Sequence, residues 1–88
     1  MKELEGNIAI VTGGARGIGE GICKVFCNEG ATVFLWDILD EGELTAKKIN
    51  EDGGDIFYQK VDITSKSQVK KAIDFIIKKF KKIDILIN

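Results

Sequence analysis

Two hydrophobic periodicities alternate along this chain, and their order restricts the fold more than any single motif does. Short apolar, β-branched runs typical of buried strands are separated by stretches with apolar residues at helical spacing. The predicted strands span 7–12, 31–36, 56–61 and 83–87, and the predicted helices span 17–29, 40–52 and a stretch from Thr64 or Ser65 to about residue 82. The β-α-β-α-β-α-β order predicts an α/β fold with parallel strands and right-handed crossovers. We expect the strand order 3-2-1-4, which opens a crevice between strands 1 and 4.

The helical spacing also predicts which side chains face the sheet. In the first helix the apolar stripe falls on residues 18, 22, 25 and 26. In the second helix Leu44 and Ile49 are predicted to point inward. In the third helix the predicted inward residues are Val69, Ala72, Ile73, Ile76, Ile77 and Phe80. The third strand is less apolar than the others, which is typical of a sheet edge.

Composition excludes several classes of function. The 88 residues include 13 basic and 14 acidic side chains, so no overall field favours nucleic acid or an anionic membrane. Lysines between positions 60 and 82 are interleaved with apolar residues at helical spacing and are interpreted as a solvated helix face. The apolar run 8–11 is too short for a signal peptide or a membrane span. Cys23 and Cys27 occur without any histidine, and we expect free thiols in the cytoplasm, not a metal site.

The turn after the first strand has three glycines at the spacing of a dinucleotide-binding loop. Gly13 permits a sharp turn, Gly17 leaves room for a pyrophosphate beside backbone N–H groups, and Gly19 lets the helix pack closely on the sheet. The start of the helix supplies unpaired N–H donors and a partial positive charge. A nucleotide-triphosphatase loop is excluded, because Glu20 and Gly21 stand where lysine and serine or threonine are needed. The sequence therefore predicts a Rossmann-type doubly wound parallel sheet.

An acidic residue at the end of the second predicted strand favours NAD over NADP. Asp37 follows Gly19 by 18 residues, near the spacing of the carboxylate that binds the adenosine ribose. Such a carboxylate accepts hydrogen bonds from a 2′-hydroxyl and repels a 2′-phosphate. Two alternatives stay open: Asp37 can be an ordinary strand-ending residue, and Arg16 can pair with a 2′-phosphate instead of the shared pyrophosphate. The expected cofactor contacts in this part of the chain are Gly13, Ala15, Arg16, Gly17, Ile18, Gly19, Asp37 and Ile38.

Three motifs in order resemble the short-chain dehydrogenase/reductase family. They are the Thr-Gly-x-x-x-Gly-x-Gly loop at 12–19, the Val-Asp-Ile-Thr segment at 61–64 and the Asp-Ile-Leu-Ile-Asn segment at 84–88. The resemblance covers nearly all of the chain and implies an NAD-dependent oxidoreductase acting on alcohol or ketone groups. It further implies that Asp62 and Ile63 flank the adenine, and that Asn88 is the first asparagine of the family's fourth-strand motif.

The same resemblance places the catalytic residues, a Tyr-x-x-x-Lys pair with a serine and a further asparagine, after the fourth strand. The one tyrosine, Tyr58, is followed four residues later by Asp62, so residues 1–88 are expected to be a single N-terminal dinucleotide-binding domain fragment, inactive alone. The small-molecule substrate stays open between 3-oxoacyl-carrier-protein and sugar or polyol identities. The alternative function is a non-catalytic module that binds the ADP part of NAD. We expect self-association through the exposed edge of strand 4 or through uncovered helix faces.

Overall fold

A four-stranded parallel sheet with helices on both faces forms the body of the molecule, whose computed structural model describes residues 2–88. The strands are β1 (Ile8–Thr12), β2 (Thr32–Asp37), β3 (Asp55–Lys60) and β4 (Ile85–Ile87), and the helices are α1 (Gly17–Asn28), α2 (Glu41–Glu51) and α3 (Lys66–Phe80). The strand order is β3-β2-β1-β4, and every pairing is parallel. The predicted α/β class, element order and strand order are confirmed.

Two apolar layers, one on each face of the sheet, hold the helices in place. α1 and α2 pack on one layer, which includes Val11, Val33 and Leu35. α3 packs on the opposite layer, in which the fully buried Phe34 ring stacks on the Phe57 ring with the centroids 5.1 Å apart. Because successive side chains of a strand point to opposite faces, β1 and β2 are buried on both sides. The carboxyl ends of the strands, called the functional edge below, therefore extend from two central strands that are buried on both faces.

The buried face of α1 differs from the predicted one. Cys23 and Cys27 are buried, whereas Ile18 is 86% and Val25 58% exposed; the other two stripe residues, at 22 and 26, are half-buried. The Cys23 sulfur of α1 lies in a tight space between the glycine loop and β2, where a Cβ placed on Gly14 would be 3.0 Å from it and 2.8 Å from the Leu35 side chain. Small cysteine side chains fit this tight space, and the bulkier apolar residues are displaced to the flanks of the helix.

The buried faces of α2 and α3 also differ from the predicted ones. α2 buries Ile49 as expected, but Leu44 is 54% exposed and the smaller Thr45 and Ala46 face inward. α3 buries Ala72 and Ile76, keeps Val69, Ile73 and Phe80 partly buried, and leaves Ile77 41% exposed. A helix that rests on one face of a sheet buries a limited stripe, so the residues at the flank of that stripe stay in water.

Local signals fix the ends of several elements as the sequence predicts. Ser65 caps α3, with its hydroxyl accepting a hydrogen bond from the Gln68 N–H at 3.4 Å. Gly30 follows α1 in the left-handed region, at φ +93°. The less apolar β3 lies at a sheet edge, as expected. Within residues 2–88, no helix is long and apolar enough to cross a membrane.

Candidate functional site

The glycine loop, residues 13–16, connects β1 to α1 and folds back onto the end of β2. The N–H groups of Gly13 and Gly14 donate to the Trp36 carbonyl at 2.8 and 3.3 Å. Gly17, the first residue of α1, has φ +62°, a backbone conformation that residues with a Cβ rarely adopt. A Cβ on Gly19 would overlap the Gly13 carbonyl. The first turn of α1 therefore starts in direct contact with the loop, at the carboxyl end of the strands.

The first turn of α1 offers its N–H groups to a ligand. Arg16 occupies the N-cap position, and within the described part of the chain its side chain makes no capping hydrogen bond. The N–H groups of a helix start carry a partial positive charge and bind anions such as phosphate. The one acidic side chain in this turn, Glu20, lies 3.4 Å from the Lys24 ammonium. This end of α1 thus fits a pyrophosphate group.

Asp37, the last residue of β2, is hydrogen-bonded to the glycine loop. Its Oδ2 accepts a hydrogen bond from the Ala15 N–H at 3.0 Å, and its Oδ1 accepts one from the Leu39 N–H at 3.1 Å. A carboxylate has about four acceptor positions, so each oxygen retains capacity for another donor. Asp37 and the glycine loop are therefore in direct contact. Their sequence spacing alone had predicted that they belong to one site.

Arg16 extends from the loop toward α2. Its Nη1 atom lies 3.7 Å from the Glu41 Oε1 atom, and the two side chains are 72% and 48% exposed. An exposed pair of this kind stabilises a protein by only ~0.2–1 kcal/mol. The effect of the pair on the site is electrostatic, because the Glu41 carboxylate offsets part of the positive charge of the guanidinium. This bears on both roles that the sequence leaves open for Arg16, pairing with the pyrophosphate or with a 2′-phosphate.

The residues that follow β3 form a turn next to the end of β2. The Val61 N–H donates to the Asp37 carbonyl at 3.0 Å. Asp62 Oδ1 accepts hydrogen bonds from the Thr64 hydroxyl at 2.6 Å and the Thr64 N–H at 2.9 Å. These bonds hold the pKa of Asp62 below its ordinary value, so this carboxyl is ionised at neutral pH. Asp62 is thus held in a fixed turn at the functional edge of the sheet.

Three isoleucines at this edge are strongly exposed. Ile18 lies in the first turn of α1, Ile38 directly after β2 and Ile63 shortly after β3, and they are 86%, 60% and 58% exposed. Exposed apolar side chains at this edge can contact the apolar parts of a ligand. All three are among the cofactor contacts predicted from the sequence.

β4 brings Asn88 to the same edge of the sheet. Val11 of β1 is in register with Ile87 of β4, and the Thr12 hydroxyl donates to the Ile87 carbonyl at 3.1 Å. Asn88 follows directly and is exposed. The predicted site residues therefore lie at the carboxyl ends of the four strands. The loop and Asp37 touch each other, whereas Asp62 and Asn88 come from β3 and β4 on either side.

Two residues that were not predicted from the sequence as site residues form hydrogen bonds with its backbone. The Thr45 hydroxyl, on the buried face of α2, donates to the Ala15 carbonyl at 2.5 Å. The Tyr58 hydroxyl, on β3, donates to the Leu39 carbonyl at 2.6 Å. A threonine on an inward helix position signals a buried hydroxyl that needs an acceptor, and this could have identified Thr45. No sequence signal marks a backbone carbonyl as the acceptor for Tyr58.

The two cysteines of α1 are buried free thiols, and the Cys23 sulfur packs next to Gly14 of the glycine loop. Burial and the neighbouring Cys27 raise the pKa of Cys23 to about 12, and burial raises the pKa of Cys27. Both thiols are therefore protonated at neutral pH and pack as small apolar groups. Across residues 2–88, no group of three or more histidine, cysteine, aspartate or glutamate side chains is arranged to hold a metal ion.

Comparison with protein families matches residues 7–88 to the short chain dehydrogenase model. Among curated proteins, the chain is 40% identical over 86 residues to the 3-oxoacyl-(acyl-carrier-protein) reductase FabG of Chlamydia pneumoniae, which covers 97% of this chain and 35% of that protein. It is also 40% identical over 86 residues to the 7alpha-hydroxysteroid dehydrogenase of Escherichia coli (strain K12), covering 97% of this chain and 34% of that protein. The chain thus spans about a third of the length of these relatives.

Solved structures of two dehydrogenases have the same fold as this chain. A hydroxysteroid dehydrogenase from Escherichia coli superimposes with a TM-score of 0.89 at 39% identity, over 94% of this chain and 36% of that one. A citronellol catabolism dehydrogenase from Pseudomonas aeruginosa PAO1 superimposes with a TM-score of 0.94 at 34% identity, over 99% of this chain and 37% of that one.

Proposed function

Because this chain belongs to the short-chain dehydrogenase/reductase family, we propose that residues 2–88 bind the adenosine half of a nicotinamide dinucleotide, with NAD preferred to NADP. The observation that carries this proposal is the 3.0 Å hydrogen bond from the Ala15 N–H to the Asp37 carboxylate. It makes the phosphate-binding loop and the ribose-binding acid two parts of one site. Such an arrangement fits a ligand in which a pyrophosphate and a ribose are covalently joined.

The pyrophosphate is assigned to the start of α1. Gly13 and Gly17 each have open space where a Cβ would stand, so phosphate oxygens can approach the backbone closely. The N–H groups of the first turn donate to those oxygens, and the helix dipole adds a favourable field.

The preference for NAD is assigned to Asp37 and its surroundings. Each oxygen of the carboxylate already accepts one backbone N–H and can accept a ribose hydroxyl as well. A 2′-phosphate at this position would face the charge of Asp37, and the guanidinium that could compensate it, on Arg16, lies beside Glu41. Like charges within a few ångströms are unfavourable even near water, so we expect NADP to bind more weakly.

The adenine is assigned to the surface between β2 and β3. Ile38 and Ile63 offer exposed apolar contacts for a flat ring. Asp62, ionised and held by Thr64, provides an acceptor for the exocyclic amino group. Asn88 is assigned to the cofactor crevice at the end of β4, where its exposed amide can form hydrogen bonds.

For the whole protein we propose oxidation of an alcohol or reduction of a ketone, with the bound dinucleotide supplying or accepting the hydride. The named relatives reduce a 3-oxoacyl group or dehydrogenate a hydroxysteroid, and they are about three times as long as this chain. The chain itself has no Tyr-x-x-x-Lys pair, since Tyr58 precedes Asp62 by four residues. We therefore expect it to bind the dinucleotide without transferring a hydride.

Titration calorimetry with NAD, NADP and ADP tests this assignment. We expect NAD to bind about tenfold more tightly than NADP, a difference of ~1.4 kcal/mol, and ADP to bind detectably. Asp37→Ser is expected to narrow the difference, whereas Asp74→Asn, on the opposite face of the sheet in α3, is expected to leave it unchanged. Equal affinity of the unmodified chain for NAD and NADP would remove Asp37 from its role. If the chain bound none of the three ligands, the proposed function would be refuted.

We also propose that the chain self-associates through β4. In the described structure β4 pairs with β1 on one side, and Leu86 at its centre is 56% exposed. An unpaired apolar strand edge favours pairing with a second chain. Sedimentation velocity is expected to show a dimer or larger species that Leu86→Lys shifts to monomer. A monomer at every concentration of the unmodified chain would contradict this proposal.

A cytoplasmic location is proposed on the chemistry of the cysteines. Cys23 and Cys27 are free thiols in the folded structure, and free thiols persist in reducing compartments. Recovery of the protein in the membrane or secreted fraction of cells that produce it would contradict this proposal.

A further inference from the structure

We propose that Thr45 and Tyr58 are positioning residues of the dinucleotide site, which fix the backbone groups that orient the Asp37 carboxylate. The inference rests on the proposed function, because it assigns to these residues an effect on the choice between NAD and NADP. Neither residue lies in a motif of the family resemblance. Each acts from an element behind the site, Thr45 from α2 and Tyr58 from the edge strand β3.

Thr45 holds the glycine loop at Ala15. The Ala15 N–H donates to Asp37 at 3.0 Å, and the Ala15 carbonyl accepts from the Thr45 hydroxyl at 2.5 Å. Both backbone polar groups of Ala15 are therefore used, and Ala15 and Thr45 are 1% and 7% exposed. A buried hydrogen bond of this kind is costly to leave unmade. Thr45 thus determines where the N–H that binds one oxygen of Asp37 lies.

Tyr58 holds the turn that supplies the second N–H to the same carboxylate. Its hydroxyl donates to the Leu39 carbonyl at 2.6 Å, and the Leu39 N–H donates to Asp37 Oδ1 at 3.1 Å. The Tyr58 ring packs against Gly42 so closely that a Cβ there would overlap it. Burial raises the pKa of the Tyr58 hydroxyl, so it remains a donor at neutral pH. The two oxygens of Asp37 are thus fixed through separate chains of contacts.

This arrangement predicts an effect on selectivity as well as on affinity. A carboxylate held at both oxygens presents its remaining acceptor positions in one direction, which suits two adjacent ribose hydroxyls. If Thr45 or Tyr58 loses its hydroxyl, the carboxylate can rotate, and the advantage of a 2′-hydroxyl over a 2′-phosphate declines. A change that only destabilised the fold would instead weaken NAD and NADP binding alike.

The test compares hydroxyl removals at three threonine or tyrosine positions by calorimetry with NAD and with NADP. Thr45→Val and Tyr58→Phe are expected to weaken NAD binding about three- to tenfold, the loss of one hydrogen bond, with a smaller change for NADP. Thr45→Ser, which keeps the hydroxyl, is expected to restore the original ratio. The matched control is Thr32→Val, because the Thr32 hydroxyl bonds Asp55 at 2.8 Å at the opposite end of the sheet. An unchanged NAD-to-NADP ratio in both Thr45→Val and Tyr58→Phe would overturn the inference.

Amide hydrogen exchange without ligand separates this inference from the proposed function. Thr45→Val is expected to speed exchange of the Ala15 N–H about three- to tenfold, and Tyr58→Phe is expected to do the same at the Leu39 N–H. Thr32→Val should leave both rates unchanged. If the unmodified chain binds no dinucleotide yet these rates rise, the proposed function fails and the positioning network stands. If the rates do not change, the network is refuted whatever the binding result.

Discussion

Arg16 and Glu41 lie 3.7 Å apart and join the glycine loop to the first turn of α2. The pair stands next to the residue proposed to select NAD. Removing the Glu41 charge leaves the guanidinium available to a 2′-phosphate. Glu41→Gln is therefore expected to strengthen NADP binding about two- to fivefold, in line with an exposed pair of ~0.2–1 kcal/mol, with little change for NAD.

Calorimetry at low and at high salt measures this effect, which should fade at high salt because exposed charges are screened. Glu43→Gln removes another acid from the same turn and serves as the control. An equal gain in NADP affinity for both variants would mean that net charge alone, without the Arg16 pair, is responsible.

Two glycines in the first half of α1 are expected to respond oppositely to the same substitution. A Cβ on Gly19 would overlap the Gly13 carbonyl, whereas Gly21 has open space around it. Gly19→Ala should destabilise the fold by about 1–3 kcal/mol through overpacking and should abolish dinucleotide binding. Gly21→Ala should stabilise it by up to about 1 kcal/mol, because alanine favours a helix. Urea unfolding measures both, and equal stability of the two variants would contradict the close contact.

Acid should weaken the attachment of β4 through Asp84. The Asp84 carboxylate accepts a hydrogen bond from the Ile8 N–H at 2.8 Å, and this bond, followed by the nearby Lys82, lowers the pKa of Asp84 below 3.8. A depressed pKa in the folded state stabilises the fold above pH 3.8, and this contribution disappears as the pH falls through the lowered value.

Asp84→Asn should therefore flatten the acid side of a curve of stability against pH, measured by urea unfolding between pH 2 and 7. Asp74→Asn, in an exposed pair with Lys70, should leave the shape of that curve unchanged. A parallel curve for Asp84→Asn would show that its ionisation does not contribute to folding.

The aromatic cluster beneath α3 should depend on Phe34 more than on its exposed neighbour. Phe34 is fully buried and meets the Phe80 ring edge-on with the centroids 5.6 Å apart, whereas Phe75 is 50% exposed. Phe34→Ala is expected to cost about 3–5 kcal/mol, a large part of the stability of a small domain. Phe75→Ala is expected to cost far less. Thermal unfolding compares them, and similar losses would contradict the assigned core.

Much of the fold could be predicted because its local signals agree with one another. Buried strands, amphipathic helices, the glycine after α1 and the serine that caps α3 all indicate the same element order. The helix faces were harder to predict, since burial depends on how near a helix approaches the sheet. At Cys23 that approach is close enough to favour a small side chain over the larger apolar residues nearby.

Some residues of the candidate site could likewise be predicted from the sequence, and others could not. The glycines and Asp37 could be identified because their spacing follows from the geometry of a strand, a turn and a helix. Thr45 and Tyr58 bond to backbone carbonyls that are distant in sequence, and only the packed structure brings those partners together. The Arg16–Glu41 contact also depends on the relative placement of α1 and α2, which the sequence pattern does not specify.

The position of β1 between β2 and β4 has a consequence for how the chain acquires its structure. Thr32 and Asp55, at the start of β2 and β3, are 23 residues apart, whereas Ile8 and Asp84 are 76 apart. Because the entropy lost on closing a loop grows with its length, β1, β2 and β3 should assemble first and β4 should dock last. During synthesis on the ribosome, the apolar strand β1 therefore keeps one edge unpaired until β4 emerges, and an unpaired strand edge in this interval is accessible to chaperones and to misassembly.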